Sequence, residues 1–280
     1  MHTDNSDITS NGTPRVTVVM GLYNCESTLQ QAVESIINQT YRHWELIMCD
    51  DASTDGTYQL ACRLAEKDAR IKVLQNRQNM GCNMVLNRCI EAAQGEYIAV
   101  MDSDDESLPT RLEKEVAVLD NNRQYAIVGT ATIHYDTEGD FMVHRPKEIP
   151  QPIDIARSIP HSHPCCMIRR KALLEIGGYC TEKKMYRIED YYMMARLYAR
   201  GYRGYNLQEA LYRYNDNHEA YRRRFWQTRI NEVYTYNRAI TILRLPMYAR
   251  LYTLRSLLVG LLPYPIYKFL HCRPWLKKRT

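Results

Sequence analysis

From residue 15 to about residue 130 the chain alternates between short apolar runs and segments with helical periodicity. Val16-Thr17-Val18-Val19-Met20 is the first run, followed by GLYNCEST and a helical face of Leu29, Val33, Ile36 and Ile37. Trp44–Cys49 is the second; it stops at Asp50-Asp51, and DASTDGT supplies a turn before a helix over 57–68. Ile71–Gln75 is the third, with a helix over 81–93, and Glu96–Met101 is the fourth. Pro109 then opens a helix with Leu112, Val116 and Leu119 as its apolar stripe. This alternation constrains the fold to an α/β class, with a mostly parallel central sheet and helices on both faces.

Ligands of such sheets bind outside the carboxyl ends of the strands. Three of the four runs end on polar or acidic residues: Asn24 just after the first, Asp50-Asp51 after the second, Asp102 and Asp104 after the fourth. These ends are expected at one edge. The fourth is the most charged, MDSDDESLP, with four carboxylates within five positions. Two acids spaced one residue apart can hold Mg²⁺ or Mn²⁺ through hard oxygen ligands while a diphosphate completes the shell. The cation would also offset the repulsion between the acids. Alone, the same stretch reads equally as a solvated turn ahead of the helix at Pro109.

The order and spacing of longer stretches carry more. VTVVMGLYNCESTLQQAVESIINQTYRHWELIMCDDASTDGT is followed by QNRQNMGCNMVLNRCIEAAQGEYIAVMDSDDESLPTRLEKEV, then by HSHPCCMIRRKAL, IGGYC and RIEDYYMMARL. Over residues 15 to 200 the chain resembles the family 2 glycosyltransferases of the GT-A (Rossmann-like) fold, which are inverting, metal-dependent users of nucleotide-diphospho-sugars. MGLYNCESTL, CDDASTDGT and GYRGYNLQEALY look closest to bacterial exopolysaccharide and capsule transferases.

The resemblance implies roles at matching positions. Tyr23 and Asp51 stand where the family contacts the nucleotide base, usually uracil. Asn79 and Gly81, in QNMG, match a segment close to the nucleotide. Asp102, with Ser103 beside it, matches the ribose and metal side of the DxD motif, and Asp104 matches its direct metal ligand. Asp105 and Glu106 are left to support the loop and the helix start. Asp190, in IEDYY, matches the catalytic base, with Glu189 next to it as an acceptor or diphosphate contact. His163, in PHSHP, matches the family's HP segment; His161 and His163 read either as an acceptor-side or diphosphate-side loop or as a turn-stabilising pair. The implied cofactor is Mn²⁺ or Mg²⁺, and the implied donor a UDP-sugar. Departures are Gly21, where many relatives have Pro or Ser, and Tyr192-Met193-Met194, where the family often has Asp, Leu and Trp. No QxxRW motif is present, and Arg222–Trp226 lacks its Gln, so one sugar per acceptor is expected.

Residues 1–14 are polar, without the basic and apolar regions of a secretory signal, and read as a disordered lead-in. The catalytic domain is expected over 15–218. Residues 126–144 read as strands with a turn at Glu138-Gly139. Residues 219–280 form a helical, basic region; 221–280 hold 13 Lys/Arg and one acid. Ser256–Tyr267 is uncharged for 12 residues and broken by Pro263 and Pro265, too short for a bilayer span of about 20 residues. It fits an amphipathic segment on an anionic membrane surface, with Tyr and Trp275 at the headgroups, or a hairpin packed on the catalytic domain. Nine cysteines without a CxxC read as reduced thiols of a cytoplasmic protein, peripheral on the inner face of the membrane. The acceptor is expected to be a glycan or lipid-linked saccharide, and nucleic acid is not an expected partner. A metal-dependent nucleotidyltransferase and a regulatory or binding protein on a glycosyltransferase fold are the alternatives; the first lacks a Gly-rich, basic loop after its first strand, and the second is disfavoured by the presence of Asp104 and Asp190.

Overall fold

The computed structural model describes residues 13–185, 187–216 and 226–260. The four alternating units form as their periodicity dictates: β1 (Val16–Leu22), α1 (Glu26–Ile37), β2 (Trp44–Asp50), α2 (Thr57–Lys67), β3 (Ile71–Gln75), α3 (Cys82–Ala92), β4 (Tyr97–Val100) and α4 (Arg111–Asn121). Every residue of β2 is buried, as a strand covered on both faces requires. Side chains alternate between two apolar layers. Val18, Met20, Leu46 and Ala99 pack with Leu29, Val33 and Ile36 of α1 and with Leu112, Val116 and Leu119 of α4. Val19, Ile47, Ile98 and Val100 face the other way, onto Val85, Leu86, Cys89 and Ile90 of α3.

The second half adds β5 (Glu106–Ser107), β6 (Tyr125–Asp136), β7 (Gly139–His144), α5 (Pro152–Ile155), β8 (Met167–Arg169), α6 (Arg170–Glu175), α7 (Glu189–Ala199) and β9 (Arg203–Asn215). The sheet order is β3-β2-β1-β4-β8-β6-β9-β5, with β7 on β6. β1, β2, β3 and β4 are mutually parallel. The short β8 runs antiparallel between β4 and β6, and β9 is parallel to β6. The sheet is therefore mostly parallel, as expected.

This topology decides what gathers at one edge. The carboxyl ends of β1, β2 and β4 lie side by side, carrying Tyr23, Asp51 and Asp102 just beyond them. Because β8 is reversed, the segment before it comes to the same edge, and with it His163 in a 3-10 turn over His163–Cys165. β6 and β9 run past the edge together, to Tyr135 and Asn215.

Two local expectations are amended. The fourth helix begins at Arg111 with Thr110 as its cap, and Glu106, expected to support the helix start, lies in β5 paired with Arg213 of β9. Beyond β9, α8 (Trp226–Ile242) packs against α7, with the Tyr191 and Tyr236 rings 4.5 Å apart. Tyr234 and Arg238 reach Glu182 at 2.7 and 2.6 Å. A 3-10 segment (Met247–Thr253) and α9 (Leu254–Gly260) follow. Among the described residues no helix is long and apolar enough to cross a membrane. Most of the lead-in, the Arg222–Phe225 stretch and the Leu261–Trp275 part of the expected membrane segment lie outside the described residues, as does Cys272. The other eight cysteines are free thiols.

Candidate active site

Asp51 directly follows β2 and is almost fully buried. Its Oδ1 accepts from Asn76 Nδ2 at 2.7 Å and the Met80 amide at 2.9 Å, and its Oδ2 from the Gly81 amide at 2.8 Å. Asp51 thus fixes the QNMG loop to the strand edge. Gly81 sits at φ +88, where a side chain would be strained, and caps α3. Oδ2 retains room for a second donor. Tyr23, just after β1, is half-exposed. Asn24 follows at φ +50 and ties the first strand's loop to the second's by accepting from the Thr54 amide at 2.8 Å. Asn79 is exposed.

The acidic turn leaves β4. Desolvation, then the charges of Asp104 and Asp190, push Asp102 up to about 7. Desolvation raises Asp104. Asp105 is deeply buried; burial and then Asp102 and Asp104 push it well up, against the opposing pull of the Asn215 amide and the Tyr212 hydroxyl. Among the described residues neither Asp102 nor Asp104 has a Lys or Arg partner.

Glu189 and Asp190 form the first turn of α7, where the helix dipole favours negative charge. Desolvation and then Asp190 raise Glu189 to about 7, and its buried Oε2 has no hydrogen-bond partner. Asp190 Oδ1 accepts the Tyr191 amide at 2.7 Å.

His163 Nε2 lies 2.7 Å from the Tyr179 hydroxyl. Burial lowers its pKa, and Asp190 opposes that shift. Tyr179 in turn feels Cys82, Asp190 and Asp102. Cys82, in the first turn of α3, is raised by desolvation and then by Asp102, Glu189, Asp190 and Asp51. Residues from six separate stretches, at Asp51, Cys82, Asp102, His163, Tyr179 and Glu189-Asp190, therefore gather at one strand edge.

His161 does not belong to it. It is fully buried, with Nδ1 2.7 Å from Asn206 Oδ1 and Nε2 3.0 Å from the Tyr198 hydroxyl. Asn206 Nδ2 donates to the Lys147 and Pro160 carbonyls, so its Oδ1 is the acceptor and His161 Nδ1 carries the proton. Gly204 permits the close approach: a Cβ there would stand 2.3 Å from His161 Nε2. Of the two histidines in PHSHP, one braces the frame and one faces the acids.

Sequence reasoning missed Tyr179, Cys82, Tyr135 and Tyr212 as parts of this site. IGGYC carried the first as a motif, whereas nothing local marks the others. Of the cavities, one of about 790 Å³ lies at the opposite sheet edge, around Arg15 and Glu96, away from the acids. A second, of about 430 Å³, adjoins Gly81 and Cys82.

The donor set suits a hard cation. Among the described residues no three His, Cys, Asp or Glu side chains are placed to hold a metal by themselves. Asp102 and Asp104 supply two carboxylates that repel each other, which fits an ion taking its remaining ligands from a substrate's phosphates and from water.

Residues 17–177 match the model of glycosyl transferase family 2, and the chain belongs to that family. EpsE of Bacillus subtilis, which carries a glycosyltransferase name, is 39% identical over 262 residues, covering 93% of this chain and 94% of the relative. The Escherichia coli protein WfaP, named as a UDP-Glc:alpha-D-GlcNAc-diphosphoundecaprenol beta-1,3-glucosyltransferase, is 28% identical over 203 residues, 71% of this chain and 76% of that one. Among solved structures, S. aureus TarS 1–349 in complex with UDP-GlcNAc superposes with a TM-score of 0.67 at 19% identity, over 82% of this chain and 70% of that one. The mannosyltransferase PcManGT from Pyrobaculum calidifontis, in complex with GDP-Man and Mn²⁺, gives 0.64 at 19% identity, over 96% and 81%. The fold is that of the GT-A glycosyltransferases.

Proposed function

We propose that this glycosyltransferase moves one sugar, with inversion, from a nucleotide-diphospho-sugar to a hydroxyl of a glycan or lipid-linked saccharide in surface polysaccharide synthesis. The observation that carries the reading is the gathering of Asp102 and Asp104, beyond β4, with Glu189 and Asp190, at the start of α7, at one strand edge of a family 2 chain. A UDP-sugar is the proposed donor; the names and complexes of WfaP and TarS favour it.

In this reading Tyr23 offers a ring face to the base. Asp51, which also holds the loop of Asn79 and Gly81 beside the nucleotide, accepts a base N–H at Oδ2, and Asp102 and Ser103 take the ribose side. Asp104 and Asp102 would hold Mn²⁺ or Mg²⁺, which supplies charge neutralisation for the departing diphosphate when bound. Asp190 accepts the proton of the acceptor hydroxyl, and that oxygen attacks the anomeric carbon from the face opposite the nucleotide. One displacement inverts configuration, and no enzyme nucleophile is used. Glu189, with an oxygen that has no hydrogen-bond partner among the described residues, and His163, steadied by Tyr179, are the proposed contacts to the acceptor or the diphosphate.

The basic residues of 221–280 are proposed to rest the enzyme on an anionic, cytoplasmic membrane face, as a region following a catalytic domain over 15–218. Equal co-sedimentation with anionic and neutral vesicles would contradict that. For the activity, a panel of nucleotide-sugars with Mn²⁺ or Mg²⁺, read by nucleotide release with membrane extract as acceptor, is the test. Release is expected with a UDP-sugar and is expected to stop on adding EDTA. No release with any donor removes the transferase reading; release indifferent to EDTA removes the metal.

A further inference from the structure

We infer that Tyr135 and Tyr212 are positioning residues that set the spacing of Asp102 and Asp104, β9 and the end of β6 acting as a splint for the acidic turn. The inference rests on the proposed reading of that turn as the metal and diphosphate site.

A turn carrying Asp102, Asp104 and Asp105 side by side works against itself, because its charges repel. In this chain it is held almost residue by residue by strands more than thirty or a hundred positions downstream. The Asp102 amide donates to the Tyr212 hydroxyl at 3.2 Å. The Asp104 carbonyl accepts from the Tyr135 hydroxyl at 3.1 Å. The Asp105 carboxyl accepts the Asn215 amide at 2.7 Å. Glu106 pairs with Arg213 at 2.6 Å and sits opposite it in the β5–β9 ladder. Tyr135 is held in its turn, since the Arg213 guanidinium lies 4.4 Å from its ring centroid and also pairs with Asp140 at 2.6 Å.

Two features separate positioning from general support. First, the splint grips the main chain and the flanking acids, never the carboxylates of Asp102 and Asp104. Among the described residues no other residue donates a hydrogen bond to those two carboxylates. In the proposed reading they are left to the ion. Second, the ends of the turn are anchored independently. Arg111 Nη2 donates to the Val100 carbonyl at 2.8 Å on one side. Gln39 Nε2 donates to the Leu108 carbonyl at 2.8 Å on the other. Removing one tyrosine hydroxyl therefore leaves the fold and both ends of the turn in place. It frees only the middle, where the two ligands sit. Groups that orient metal ligands in this way typically carry about 10–100-fold in metal affinity.

The test is direct Mn²⁺ binding by the full-length protein. Free Mn²⁺ is counted by its electron paramagnetic resonance signal in the presence of UDP, with GDP in a parallel arm. Tyr135→Phe and Tyr212→Phe are each expected to raise the Mn²⁺ dissociation constant about tenfold, with melting temperatures close to wild type. Glu209→Ala, which removes only the exposed Lys114 pair on the same strand, is expected to bind as wild type. Wild-type uptake matched by both tyrosine variants overturns the splint alone. A wild-type protein that takes up no Mn²⁺ with either nucleotide overturns the metal reading, and the splint with it.

Discussion

Replacing His161 by Gln separates the frame of this enzyme from its site. The ring is fully buried, and its hydrogen bonds to Asn206 and Tyr198 suit the neutral tautomer. Burial lowers its pKa from 6.5 to about 4, with Asn206 opposing the shift. The folded state thus binds the proton less readily than the unfolded chain. The resulting stability is fully present above pH 6.5 and is lost as pH falls through 4. At 1.36 kcal/mol per pH unit the whole contribution is about 3 kcal/mol, of which about 2.5 is gone by pH 4.5. His161→Gln removes this titration at a cost in packing that does not vary with pH. Urea unfolding at pH 7.5, 5.5 and 4.5 is the assay. The stability gap between wild type and variant is expected to shrink by about 2–3 kcal/mol across that range. The lowered pKa values of His144 and His163 are common to both proteins and cancel. A gap that stays constant would show that the ring titrates freely, and the division of PHSHP into one brace and one site histidine would fail.

Gly204→Ala attacks the same brace from the strand side. Its Cβ would meet His161 Nε2 at 2.3 Å and Ile127 Cγ2 at 2.7 Å, so a loss of about 1–3 kcal/mol is expected in thermal melts; an unchanged melt refutes the close packing. Asp51→Ala leaves Asn76 Nδ2 and the Met80 and Gly81 amides without their acceptor. A stability loss of about 2–4 kcal/mol is expected together with weaker UDP binding by calorimetry. UDP binding at wild-type strength would remove the base contact proposed for Asp51, and full stability would remove its anchoring of the loop.

The first half of the fold was legible because its signals are local. Each run and each helical face between Val16 and Leu119 is set by its own periodicity, and the parallel sheet follows from their alternation. β8 was not, because three residues running straight into α6 carry no period of their own, yet its reversed direction is what brings His163 to the acids. Asp102, Asp104 and Asp190 could be singled out by residue type and order. The residues that hold them could not: Tyr212 and Asn215 meet the acidic turn only through a strand pairing 110 positions away. Read from sequence, Asp105 and Glu106 support the loop and, because Pro109 is close, the helix start; their partners Asn215 and Arg213 are in β9. Within PHSHP only the match of His163 to the HP segment sets the two histidines apart; the bracing role of His161 comes from Gly204, Asn206 and Tyr198. The basic composition after residue 219 drew attention to a surface, while Tyr236 and Ala239 of α8 encode packing, with Ala239 buried and Tyr236 against Tyr191.

The central claim, that Asp190 takes the acceptor's proton in a metal-dependent transfer, is tested most directly by Asp190→Asn. The substitution keeps the size of the side chain and an oxygen able to accept the Tyr191 amide, and removes the base. Transfer from a UDP-sugar is expected to fall by about 100-fold or more, while UDP binds with wild-type affinity in the presence of Mn²⁺. Transfer at the wild-type rate would contradict the account.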